Sequence, residues 1–188
     1  MRTNPERRTA LTDAAVDVLA DEGARGLTFR AVDTRAQVPA GTTSNYFRTR
    51  DELLVAVGAH VFTRLAPDPA TVHSALSHRR DHALLGQFLR DIVDRATADQ
   101  AAHLALLELR LESTRKPALA ATFTATMVDA LRANVAFHLD AGLPGDEESV
   151  ELLYATTTGL IIEHLTLPEF FSRARVDRLI ARLVSTME

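Results

Sequence analysis

The sequence predicts an all-α protein, a small N-terminal module of three short helices joined to a larger helical bundle, with about nine to ten helices in total. Three observations predict it. Apolar residues recur with the helical period in nearly every segment, and no stretch alternates as a strand does. Ala and Leu are abundant while aromatic residues make up only 5% of the 188 residues, a balance that favours helix over sheet. Helix start and stop signals also punctuate the chain at short intervals.

Asn4-Pro5 offers an N-cap side chain followed by proline at the first helical position, so the first helix is predicted to begin there. Its stripe is Leu11, Ala14, Ala15, Val18 and Leu19, and Gly23 is predicted to stop it as the residue after the C-cap. A second, short helix opens at Thr28 with Phe29, Val32 and Ala36. A third is predicted over about 40–47, with Pro39 at its start. Thr49-Arg50-Asp51-Glu52 reads as a capping box. It opens a fourth helix, about 50–66, with Leu53, Leu54, Val57, Val61, Phe62 and Leu65 on one face. Pro67-Asp68-Pro69 then breaks the chain.

Beyond the break, a short helix over about 69–77 precedes one over about 80–97 with the stripe Leu84, Leu85, Phe88, Leu89, Ile92, Val93 and Ala96. Residues 99–115 are apolar over more of their circumference, as in a helix buried within a bundle. Pro117 starts another helix, ended by Gly142 and the turn Pro144-Gly145-Asp146. Two more follow, about 147–167 and 173–187, the last carrying Val176, Leu179, Ile180, Leu183, Val184 and Met187 in helical spacing.

Composition excludes several function classes. The chain has no Cys, so disulfides and thiolate metal sites are ruled out, and a reducing, cytoplasmic setting is expected. The first residues lack the apolar core of a signal peptide, and no apolar run reaches membrane-spanning length. There is no GxSxG, Walker loop, HExxH or strand-borne GxGxxG, so no enzymatic activity and no cofactor is expected. His78 and His82 have the four-residue spacing of metal ligands on a helix, but Arg79 and Arg80 between them would repel a cation, so no metal is expected.

The net charge of −4 conceals an uneven distribution. In residues 1–60, eight Arg balance eight carboxylates, whereas residues 24–50 hold Arg25, Arg30, Arg35, Arg48 and Arg50 against Asp33 alone. This local basic stretch coincides with two short helices joined by a tight turn at Gln37-Val38-Pro39, the layout of a helix-turn-helix. The second helix of such a pair enters the major groove. Its residues, Ala40-Gly41-Thr42-Thr43-Ser44-Asn45-Tyr46, are mostly small or hydrogen-bonding. Gly41 permits close backbone approach, Asn45 can read a base edge, and Thr methyls can meet thymine methyls. The hydroxyls of Thr42 and Tyr46 can hold phosphates, and Arg48 and Arg50 follow at once. Thr28 and Arg30 open the supporting helix, with its N-terminus toward the DNA backbone. An Arg at a helix N-terminus opposes the helix dipole, and a phosphate partner for Arg50 would offset this.

Gly26-Leu27-Thr28-Phe29-Arg30, Ala36 through Phe47 and Arg50-Asp51-Glu52-Leu53-Leu54, in this order and spacing, resemble the signature of the TetR family over about residues 8–57. The resemblance implies a DNA-binding regulator, most often a repressor released from a palindromic operator by a small-molecule ligand. It implies phosphate contacts from Thr42, Tyr46 and Arg50, base readout by Thr43, Ser44, Asn45 and Arg30, and core positions for Phe47 and Leu54. It also implies a homodimer through the last two helices. On this reading residues 1–50 form the DNA-binding domain and 51–188 the ligand-binding and dimerisation domain, with the helix over about 50–66 linking them. Departures from the family pattern are Gln37 where Gly is common, Pro39 where a Ser or Thr cap is usual, and Ser44 where an aromatic is usual. A non-glycine residue at positive φ is therefore expected at Gln37, at roughly 1 kcal/mol. Leu106 through Pro117 resembles the C-terminal domain of one subgroup.

For the ligand wall the candidates are Phe62, Phe88, His103, Leu107, Glu108, Phe123, Met127 and Tyr154, with Glu112 and Phe137 considered beside them. Their apolar character points to an apolar or amphipathic effector. The alternative to a DNA-binding regulator is a helical adaptor that binds only proteins, which would leave the Arg cluster and the small polar helix without a use.

Overall fold

The computed structural model describes residues 4–77 and 79–187; His78 of the His78/His82 pair lies outside them. Nine α-helices and one 3-10 turn are found among the described residues, and no strand. They are α1 (Pro5–Gly26), α2 (Phe29–Arg35), α3 (Arg50–Leu65), α4 (Pro69–Ala75), α5 (His82–Ala98), α6 (Gln100–Ser113), α7 (Pro117–Asp140), α8 (Glu147–Thr166) and α9 (Arg173–Val184), with the 3-10 turn at Thr43–Asn45. The chain divides into two compact units, one of residues 1–66 and 99–126, the other of residues 67–98 and 127–188.

In the first unit α1 begins where expected: the Asn4 side chain accepts the amide of Arg7 at 3.2 Å, with Pro5 in the first turn. Gly23 stands at φ 67 and ψ −176, a conformation essentially reserved for glycine, and the helical path resumes for one turn after it. Leu11, Ala15, Val16, Leu19 and Leu27 are fully buried. Thr12 is buried beside them without penalty because its hydroxyl donates to Arg8 O at 2.9 Å. Thr49 caps α3 by accepting the Glu52 amide at 3.1 Å. The return half of the expected capping box is displaced by one residue, since Glu52 accepts the amide of Arg48, at 2.8 Å, rather than that of Thr49.

Helix α6 packs on α1 and α3 through buried Ala102, Ala105 and Leu109. Small residues at two of these three places let the backbones come close, and Gly58 of α3 lies against Leu109. Asp99 has two roles. It caps α6 by accepting the Ala102 amide at 3.1 Å, and it receives Arg64 at the end of α3 in a two-point contact at 2.8 and 2.6 Å. The hydrogen bond from Arg64 holds the Asp99 carboxyl below its ordinary range, and the same bond raises Arg64. The expectation that 99–115 is buried on most sides holds less well for Leu111, which is 53% exposed.

In the second unit Asp68 caps α4, Asp81 receives the amides of Ala83 and Leu84 at the start of α5, and Asp146 caps α8. One core joins Leu85, Leu89, Val93 and Ala96 of α5 to Leu153, Leu160, Ile161 and Leu165 of α8 and to Val176, Ile180 and Val184 of α9. The α9 stripe is thus used largely within its own chain, and Leu179 alone of its large members stays 39% exposed. His82 bonds Met187 O at 2.9 Å, and Arg173 is bound between Asp94 and Asp177. No helix among the described residues is long and apolar enough to cross a membrane.

Candidate nucleic-acid interface

The turn after α2 is organised by a buried carboxylate. Asp33, 3% exposed, accepts the Gly41 amide on Oδ2 at 2.7 Å. Its Oδ1 accepts both the amide and the hydroxyl of Thr43, at 2.7 and 2.6 Å. Ala36 closes α2 in helical geometry, Gln37 takes φ 53 as expected, and Val38 N–H returns to Asp33 O at 3.0 Å. Gly41 stands at φ 89, where a side chain would be strained although a Cβ there would meet nothing within 4 Å.

The predicted α-helix over 40–47 is instead one 3-10 turn. The physical reason lies in its polar side chains. Asp33 takes two amides at the N-terminal side, Thr42 Oγ1 donates to Pro39 O at 2.6 Å, and Ser44 Oγ donates to Gly41 O at 2.7 Å. Such local bonds compete with the α-helical pattern, and the run Thr42-Thr43 is β-branched. The backbone closes through Asn45 N–H to Thr42 O and Tyr46 N–H to Thr43 O, both at 3.0 Å. From α1, Arg8 donates to Tyr46 O at 3.0 Å and lies 4.2 Å over the ring of fully buried Phe47, bracing the far side.

This geometry sorts the expected contact residues. Thr28, Arg30, Gly41, Ser44, Asn45 and Arg48 are exposed, and Thr42 and Tyr46 are half-buried. Thr28 caps α2 by accepting the Ala31 amide at 3.1 Å. Two expected contacts lie elsewhere. Thr43 is fully buried with its hydroxyl on Asp33, which leaves no surface to a groove. Arg50 turns inward: its Nε donates to Leu27 O at 3.1 Å, Nη1 to Glu112 Oε1 at 3.1 Å, and Nη2 to Ala24 O. Burial would raise the Glu112 carboxyl, but the hydrogen bond and charge of Arg50, aided by Lys116 and Arg115, outweigh it and hold that carboxyl low. Asp33 and Arg8 were missed by sequence reasoning. The signal for Asp33 was present, as the one acid in a run of arginines.

Among the ligand-wall candidates, Phe62, His103, Leu107, Glu108 and Phe123 belong to the first unit, and Phe88, Met127 and Tyr154 to the second. Glu108 is engaged inside the first unit: its Oε2 accepts the Ala24 amide at 3.0 Å, restarting the helix after Gly23. His103 has a buried Nδ1 with no hydrogen-bond partner, and burial first, then the charge of Arg110, lowers its pKa below 6.5. Phe88 meets Phe137 edge to face with centroids 6.0 Å apart. No group of three or more metal-ligating side chains is found among the described residues.

Residues 11–57 match the family described as bacterial regulatory proteins, tetR family, and residues 80–186 match the tetracyclin repressor-like C-terminal domain. The chain belongs to the TetR family. An uncharacterized HTH-type transcriptional regulator from the dhlA 5' region of Xanthobacter autotrophicus is 37% identical over 94 residues, 50% of this chain and 46% of that relative. The matched part thus spans less than half the length of the curated relatives, including BetI of Burkholderia lata at 38% of its length. Among solved structures, the multidrug binding protein EbrR complexed with imidazole is 27% identical with a TM-score of 0.65, covering 96% of each chain. The TetR-family protein SCO1917 from Streptomyces coelicolor A3 is 28% identical with a TM-score of 0.68, covering 95% of this chain and 98% of that one. In this TetR-family chain the tetR match contains the whole Asp33-braced turn, while the C-terminal match begins just before α5.

Proposed function

We propose that this chain is a sequence-specific DNA-binding transcriptional regulator, a repressor that a small-molecule effector releases from a palindromic operator. The observation that carries the reading is the braced 3-10 turn, which holds Ser44 and Asn45 exposed in a module whose Arg30 and Arg48 are exposed as well. Arg30, Ser44 and Asn45 read base edges; Thr28, Gly41, Thr42, Tyr46 and Arg48 meet the phosphate backbone. Thr43 and Arg50 hold the module together from inside.

A palindrome needs a two-fold protein. The outward face of α8 exposes Leu152, Ala155, Gly159 and Thr166, and with exposed Leu179 of α9 it supports a homodimer through the last two helices. EbrR was solved with imidazole and with ethidium. For this chain we propose an apolar or amphipathic effector, with Phe88 as a wall residue within the second unit. The effector acts by population shift, favouring a state in which the two reading turns no longer fit successive grooves. A regulator that works on DNA in this way acts in the cytoplasm.

Selection of sites from a random duplex pool, at fixed salt and without added ligand, tests the reading. Recovery of a palindrome supports it. Recovery of no motif by folded protein, with or without candidate effectors, overturns it in favour of the helical adaptor.

A further inference from the structure

The second unit holds a cation with a buried nitrogen that no described residue hydrogen-bonds. Arg95 of α5 is half-buried, and its Nε is fully buried with no hydrogen bond. Burial lowers its pKa, and the opposing field of Asp91, one turn earlier on the same helix, does not cancel this. A buried donor on a charged group left unpaired is costly, so such a group is expected where something outside the chain completes it.

Its surroundings have a direction. Phe88, Ile92 and Arg95 follow one face of α5 at spacings of four and three residues. Phe88 packs edge-on against Phe137 of α7. Ile92 and Phe137 remain 38% and 40% exposed, more than large apolar side chains beside a core normally are. The aromatic pair and the guanidinium are thus the two ends of an uncovered apolar strip about 10 Å long.

We infer that this strip binds an amphipathic carboxylate, its acid group on Arg95 and its aliphatic chain along Ile92, Phe88 and Phe137. Charge decides the class: among the described residues the buried side-chain atom left without a partner at the strip belongs to the Arg95 cation, which disfavours amines and neutral alcohols. The inference rests on the reading of an effector-responsive regulator and names the effector's class.

The test is calorimetric titration of the full chain, without DNA, using decanoate, decanol and decylamine below their aggregation limits. Decanoate is expected to bind and decylamine is not. Arg95→Gln should weaken decanoate at least about tenfold, and Arg95→Lys should retain part of the affinity. No decanoate binding, equal binding to wild type and Arg95→Gln, or equal binding of acid and amine each overturns the inference. Arg95→Lys decides the case if the Gln variant is misfolded by circular dichroism. If decanoate binds through Arg95 but leaves DNA affinity unchanged, the site stands and the release reading falls.

Discussion

Asp33 and Thr43 are joined twice, the carboxylate Oδ1 receiving both the amide and the hydroxyl of the threonine at 2.7 and 2.6 Å inside the N-terminal module. The pair converts two short elements, α2 and the 3-10 turn, into one rigid piece. Asp33→Asn replaces an acceptor-only carboxylate by a group with a single oxygen, so one set of donors is left unmet. A loss of about 2 kcal/mol is expected in urea unfolding. DNA affinity at a temperature where the variant is folded should fall as well. Unchanged stability would remove Asp33 from its bracing role.

Arg48 and Arg50 are neighbours in sequence with opposite fates. Arg48 is exposed, so Arg48→Ala should weaken binding to all duplexes alike and reduce the salt slope by about 1. Arg50→Ala should leave the slope as it is and cost about 1 kcal/mol in unfolding, because Glu112 keeps Arg115 and Lys116 nearby. The reverse pattern would return Arg50 to the phosphate backbone.

Asn45→Ala should relax preference at one base position per half-site, with about 1–3 kcal/mol of discrimination lost there and little change elsewhere. Site selection repeated with the variant reads this directly. An unchanged motif would mean that Asn45 faces no base.

Gly23→Ala places a Cβ at φ 67, 3.4 Å from Glu108 Oε2. A loss of about 1–3 kcal/mol is expected in urea unfolding. A variant as stable as wild type would show that the break in α1 is dispensable.

The His103 imidazole titrates below 6.5 in the folded chain, by burial and then by Arg110. Below about pH 6.5 the unfolded chain therefore binds a proton that the folded chain refuses, and stability falls with pH until the folded pKa is reached. Asp99 acts in a separate window, its depressed pKa adding stability that is lost only below about pH 3.8. The urea midpoint of wild type should drop between pH 7.5 and 5.5 more steeply than that of His103→Gln. Parallel slopes would refute the assignment.

Much of this was legible in the sequence because caps are local. Asn4, Thr28 and Thr49 act on amides three residues away, and the positive φ of Gln37 was implied by the family resemblance, in which Gly is common at that place. The 3-10 form of residues 43–45 was not legible, since it depends on a carboxylate ten residues earlier that composition registers only as one acid among arginines. Arg50 was misjudged for a related reason. Its partners Ala24, Leu27 and Glu112 lie 23 to 62 residues away, and only packing of α6 on α1 brings them together. The α9 stripe fits packing on its own core or on a second copy equally well by periodicity, and burial in the core with α5 and α8 accounts for most of it.

The double bond of Asp33 to Thr43 has a bearing on how such a protein diverges. The brace runs through Asp33, Gly41 and Thr43, with Arg8 on the far side, whereas the Asn45 side chain is exposed and outside it. If Asn45 reads a base as proposed, recognition and foldedness are written in different letters of the same short word, and the letter at 45 can be rewritten by mutation, in nature or in a library, while the frame that presents it stays upright.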